Sequence, residues 1–413
     1  MFDLVPSGLL DWFECLGIMA SGYVLVFYVA RVLLVSPVFA TIMFVWHTLI
    51  CLAYLNLFSD QLVDMHFYYD SSFDRVTSFA LSTGGIIYIT RFFSVIFGFS
   101  FLATNLFFSL FGAIATMFLY SCLTNDQQDK NQWTRFKAMA IVFLPSVSFW
   151  SSSIGKDGMS FLSVCIYAWV FMDFAKRKYM LILAILFMVL VRPHVGVLML
   201  LSILLYILSS SRLNILAKST LLIVGVFASY FLMSGVLEMV SGDGGRFSDI
   251  SNIIDRQQTL NADGGSSIDI SQMSLPMQMF TYLFRPMLFE GISLLQILVG
   301  FENLFLLFLA VEFLMKLVRL RISRRDLNVP QLTYGVFVWI LLAMTTANLG
   351  IAVRQKWMIA PPLLVMITCI AVRRRVKNSH AISFEGRVRN QGLIKSYGQR
   401  APLAEPSFRN YRP

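Results

Sequence analysis

Uncharged apolar runs recur along this 413-residue chain, among them residues 138–153 and 158–172, and each run must find either a protein interior or lipid. A soluble domain of this size keeps a charged surface around one core. Here 57% of residues are hydrophobic, only 14% are charged and 38 are Phe, while mean hydropathy is +0.70. That balance excludes an ordinary soluble enzyme and predicts an all-α polytopic membrane protein.

The runs place spans near Cys15–Leu34, Pro37–Phe58, Phe99–Cys122, 138–153, 158–174, Leu221–Leu237, Ile292–Leu314, Leu332–Leu349 and Trp357–Ala371. Two shorter runs, Tyr179–Val191 and Val195–Leu208, flank Arg192. Residues 77–98 carry Gly84, Gly85 and Arg91 in their interior and suit a re-entrant or interfacial helix. About eleven spans are expected. The division that follows is a transmembrane domain at 1–373, with external loops at 59–98 and 238–286, and a basic cytoplasmic tail at 374–413. The start, Met1 to Pro6, has no basic segment and no small-residue cleavage site, so no signal peptide is expected.

Orientation follows from the cations, because Lys and Arg accumulate on the cytoplasmic side. With the 124–137 loop inside and 77–98 re-entrant, 24 of the 33 Lys and Arg fall inside. The N-terminus is then external and the C-terminus cytoplasmic. Nine cations remain outside: Arg75, Arg91, Lys156, Arg192, Arg246, Arg256, Arg285, Arg354 and Lys356. Five of these, Lys156, Arg192, Arg285, Arg354 and Lys356, sit in short turns against span ends, where they serve no purpose as topology signals.

A cation between apolar runs needs water, an anion or a carboxylate. Local pairing would join Lys156 to Asp157 and Arg285 to Glu290. A shared anion site is the other solution, since guanidinium forks suit phosphate and lysine adds a compact charge. An anion at the outer leaflet beside an apolar groove points to a polyprenyl-diphosphate-linked glycan. Glycosyl transfer from such a donor needs its leaving group stabilised and a base on the acceptor hydroxyl. Asp64, His66, Asp70 and His194 are the candidate bases, and Asp157 and Glu290 the supporting carboxylates. Tyr68 and Tyr69 read as an interface belt, and Pro193 and Pro286 as turn formers. Glu302 lies well inside a span.

Other chemistries find little footing. Gly242–Gly245 and Gly264–Gly265 lack a P-loop lysine, and the four His have no metal-ligand spacing, so neither cofactor nor metal is expected. The five cysteines are scattered and read as small buried hydrophobes. The basic tail meets lipid headgroups more readily than nucleic acid.

Taken together, the acidic and Tyr-bearing segment Asp60–Arg75, the stretch Leu144–Gly158 (LPSVSFWSSSIGKDG), Arg192-Pro-His194, Phe284-Arg-Pro with Glu290, and Asn348 with Arg354 and Lys356 resemble the multi-spanning enzymes of bacterial surface-polysaccharide assembly. These include the O-antigen, capsule and exopolysaccharide repeat-unit polymerases and related lipid-sugar-dependent glycosyltransferases. The resemblance covers roughly residues 60–375. It implies polymerisation of undecaprenyl-diphosphate-linked repeat units on the external face of the bacterial inner membrane, with chain-length regulator or flippase proteins as partners. In the polymerases, external arginines hold the lipid diphosphate, which falls on Arg192, Arg285 and Arg354. In the transferases, a carboxylate of the first external loop is the base, which falls on Asp64 or Asp70. The chain lacks the tandem acidic pair and large soluble C-terminal domain of many transferases, which favours the polymerase. A transporter or flippase of an anionic lipid is the reading from another class, but the turn cations lie on one side only and no inverted repeat is evident.

Overall fold

The computed structural model describes residues 6, 8–61, 63–74, 79–124, 132–209, 266–270, 272–291, 293–320 and 327–367, with scattered positions between 214 and 227 and Gln258. Most of the expected span at Leu221–Leu237, most of the polar loop 241–278 and the tail 374–413 lie outside them. The described chain is helical, with no strand and one isolated bridge between Ser267 and Asn348. In order the helices are α1 Leu9–Val32, α2 Pro37–Leu57, α3 Asp64–Ser71, α4 Thr83–Arg91, α5 Phe101–Thr124, α6 Gln132–Val142, α7 Pro145–Trp150, α8 Lys156–Val170, α9 Phe174–Arg177, α10 Met180–Val191, α11 Pro193–Ser209, α12 Leu275–Phe284, α13 Leu294–Leu320, α14 Val329–Thr345 and α15 Leu349–Gln355. Residues 360–367 are helical again.

Four of these helices are long and apolar enough to cross a membrane: α1, α2, α5 and α13. Thr83–Ile96, Met180–Val191, Pro193–Ser209 and Val329–Thr345 are shorter apolar helices. Exposed faces of α1 and α2 carry Leu16, Val24, Tyr28, Val38 and Leu49. Such surfaces belong in lipid, and the molecule is a membrane protein.

Helix α5 is the axis of the bundle. It packs against α1, α2, α6 and α8, and most of its residues are buried. Lipid removes the usual hydrophobic drive between helices, so close approach and interhelical hydrogen bonds, each about 0.6–2 kcal/mol, must hold them. Both occur here. Tyr167 of α8 donates to the carbonyl of Pro330 at 2.8 Å, and Gln331 Nε2 of α14 donates to the carbonyl of Ala168 at 2.8 Å.

The stretch expected as one span at 138–153 is instead broken. Helix α6 ends at Val142, and Pro145, which lacks an N–H and cannot continue a helix, opens α7 instead. After Trp150 the chain bends through Ser151–Gly155, all five residues buried, before α8 begins. Irregular backbone at membrane depth survives only inside protein. Ile154 N–H is satisfied by Asn105 Oδ1 of α5 at 3.0 Å. Two glycines make room: a Cβ on Gly112 would lie 2.5 Å from Ser151 Oγ, and one on Gly158 would lie 2.9 Å from the Ser151 carbonyl. The break thus presses against α5 and turns Lys156 and Asp157 towards the neighbouring helix ends.

Candidate functional site

Three of the cation-bearing turns meet at Asp157. This residue lies in the first turn of α8, Arg192 is the C-cap of α10, and Arg354 lies in the last turn of α15. Asp157 Oδ1 accepts from Arg192 Nη2 at 2.7 Å, and Asp157 Oδ2 accepts from Arg354 Nε at 3.0 Å. Arg354 Nη2 also donates to Asp64 Oδ2 at 2.7 Å, drawing α3 of the first loop onto the cluster. Burial raises the Asp157 carboxyl, but Arg354 and Arg192 outweigh it and hold the group below the usual carboxylate range. Burial alone would weaken the Arg354 charge; Asp157 and Asp64 raise its pKa instead.

The local pairing of Lys156 with Asp157, one of the two alternatives, does not form, because consecutive helical residues point about 100° apart. Lys156 Nζ donates to Ser82 Oγ at 3.0 Å and to Thr83 Oγ1 at 2.8 Å, at the start of α4. Burial first, then the nearby Arg192, lower its pKa to about 8.

Arg285 and Glu290 pair as their spacing suggests. Arg285 Nε donates to Glu290 Oε1 at 2.9 Å, and Glu290 Oε2 accepts the Met287 N–H at 2.9 Å. Burial opposes ionisation of Glu290, but these bonds lower its pKa overall. The pair lines a cavity of about 480 Å³, within the range of small-ligand sites. Phe149, Trp150, Ile50 and Val299 form apolar walls, and Ser266 and Gln296 add polar ones. Trp150 joins this cavity to the Asp157 cluster, since the Arg354 guanidinium lies 5.0 Å from its ring centroid.

The remaining predicted residues are placed differently. Lys356 is 1% exposed and turned into the bundle, donating to Asn303 Oδ1 at 2.7 Å and standing 3.7 Å from Glu302 Oε2. It cannot touch a ligand in the cavity. His66 is buried and stacked 5.2 Å from Phe101. Asp70 is exposed on α3, about 120° around the helix from Asp64 and so away from Arg354. His194 is half-buried in the first turn of α11, next to Arg192. Of the four candidate bases, only Asp64 has its carboxylate in the charge network, and its side chain is 50% exposed.

Trp150 as a shared wall, Ser82 and Thr83 as partners of Lys156, and Asn303 were not singled out from sequence. The Glu302-Asn303 dipeptide inside an apolar run was the available signal for the last. Comparison with protein-family models, with curated proteins and with solved structures returns no match.

Proposed function

We propose that the protein transfers glycosyl groups from a polyprenyl-diphosphate-linked donor, extending repeat-unit chains of O-antigen, capsule or exopolysaccharide type on the external face of a bacterial inner membrane. One observation carries this reading: Arg354 binds the half-exposed Asp64 and lies over Trp150, a wall of the 480 Å³ cavity that also holds Arg285. A base candidate, aromatic and apolar surface and an anion-binding guanidinium are therefore contiguous.

In the reaction, the acceptor oxygen bonds to the anomeric carbon as the bond from that carbon to the diphosphate oxygen breaks. The hydroxyl proton passes to Asp64, and the departing electron pair stays on the diphosphate. Arg285, a quarter exposed, and Lys156, whose ammonium is bonded to the Ser82 and Thr83 hydroxyls, offset that charge. Asp157, itself held by Arg192, keeps Arg354 in place. Transfer of single sugars from a polyprenyl phosphate is the second reading, favoured by the place of Asp64, rather than Asp70, beside the cations.

The same reading keeps about eleven spans, an external N-terminus, an external 238–286 loop and a cytoplasmic tail. Arg285→Ala tests the site in cells, because it removes the cavity cation while Glu290, 25% exposed, can turn to water. Long glycan chains disappear while the protein stays in the membrane at normal level. Chains of normal length would remove Arg285 from the donor site.

A further inference from the structure

Beneath the cavity runs a buried polar chain that the proposed chemistry does not use. Glu302 and Lys356 are 2% and 1% exposed, so neither reaches solvent or substrate. Glu302 Oε1 accepts the backbone N–H of Ser146 at 2.6 Å, in the first turn of α7. Lys356 stands 3.7 Å from the other carboxylate oxygen and donates to Asn303 Oδ1. Asn303 Nδ2 then donates to the carbonyl of Pro286 at 2.9 Å. Trp357 Nε1 returns to Ser146 Oγ at 2.9 Å. Both ends of this chain are cavity walls, since Ser146 and Pro286 line it and Pro286 follows Arg285.

Inside a membrane an ionised pair is costly, and an apolar pair of the same shape would hold the helices equally well. What the polar chain adds is direction, because each hydrogen bond fixes an angle as well as a distance. Glu302 fixes where α7, and therefore Phe149 and Trp150, begins. Lys356 orients Asn303, and Asn303 fixes the carbonyl that follows Arg285.

We propose that Glu302 and Lys356 are a positioning pair that sets the separation between the Ser146 and Arg285 walls of the cavity, and so the way Arg285 meets the donor phosphate. The ligand assignment rests on the glycosyl-transfer reading; the effect on cavity shape does not. Lys356, which its sequence position suggests as a phosphate ligand, then acts only through Asn303 and Pro286.

The test uses a reporter thiol at Val299, a buried cavity wall, as Val299→Cys with the five native cysteines replaced. Purified full-length protein is treated with a maleimide. The double variant Glu302→Leu with Lys356→Met removes both charges together with the acceptor for the Ser146 N–H and the donor to Asn303; no buried charge is left unpaired, so the protein stays folded. Its thiol reacts about ten-fold faster, and its KM for the lipid-linked donor rises about ten-fold with kcat less affected. Asn303→Ala keeps the ion pair but cuts the link to Pro286, and gives the same faster labelling. Parental labelling rates in both variants would overturn the positioning role. Because thiol labelling needs no turnover, it separates this inference from the glycosyl-transfer reading. Faster labelling without any glycan product would leave the pair established and the reaction refuted.

Discussion

Arg354 reaches across 290 residues of chain to Asp64, its Nη2 donating to Oδ2 at 2.7 Å. Nothing else in the described structure ties the first loop so directly to the C-terminal turn, and the contact separates Asp64 from the other first-loop carboxylates. Asp64→Asn retains an acceptor for Arg354 but cannot take a proton. Turnover of a lipid-linked donor falls at least about a hundred-fold, in line with the loss of a general base, while donor affinity changes little. Asp70→Asn leaves both unchanged. Equal losses at the two positions, measured on purified protein, would contradict the assignment.

Asp157 is the hub of the cluster, and removing its charge leaves the buried Arg192 without its carboxylate and Arg354 with Asp64 alone. Asp157→Asn costs about 3–5 kcal/mol of stability, as expected when one partner of a buried pair is lost. The sign with pH follows from the depressed carboxyl: its contribution is present above the unfolded carboxylate pKa and fades as pH falls through the lower folded one. Thermal unfolding in detergent between pH 3 and 7 reads this directly. A pH-independent difference between Asp157→Asn and the parent would sink the hub role.

Lys156 supplies a pH signature on the alkaline side. With its pKa lowered to about 8, the ammonium needed for an anion is present below that pH and is lost above it. Donor binding therefore weakens as pH rises from 7 to 9. Arginine stays protonated throughout, so Lys156→Arg flattens that dependence. An unchanged profile in Lys156→Arg would exclude the lysine from the anion site.

Orientation has its own check at Ser267, which is exposed and bridges to Asn348 near the cluster. A cysteine there reacts with a membrane-impermeant thiol reagent in cells stripped of the outer barrier, and one in 380–410 does not. The reverse pattern would put the site on the cytoplasmic side.

Much of this site was legible because its cations interrupt apolar runs. Arg192 and Arg354 stand out for that reason and do converge, and Pro193 opens α11 as a turn-forming proline should. Arg285 finds Glu290 five residues away, a pairing that local spacing exposes. Lys356 turns inward to Asn303, 53 residues earlier, and no periodicity encodes such a contact. Lys156 has hydroxyl partners 73 and 74 residues earlier, which neither local pairing with Asp157 nor a shared anion site brings to view in the sequence. Helix lengths were legible only where the apolar run lacks a break: α5 follows its run closely, whereas Pro145 and the serines after Trp150 divide 138–153.

The most direct measurement gives purified protein, in nanodiscs, an authentic lipid diphosphate-linked repeat unit and no nucleotide sugar. Catalysis by this cluster predicts a ladder of longer lipid-linked glycans that Asp64→Asn and Arg285→Ala each abolish. Movement of the lipid-linked unit between leaflets, with its glycan length unchanged, would contradict glycosyl transfer and make the protein a transporter.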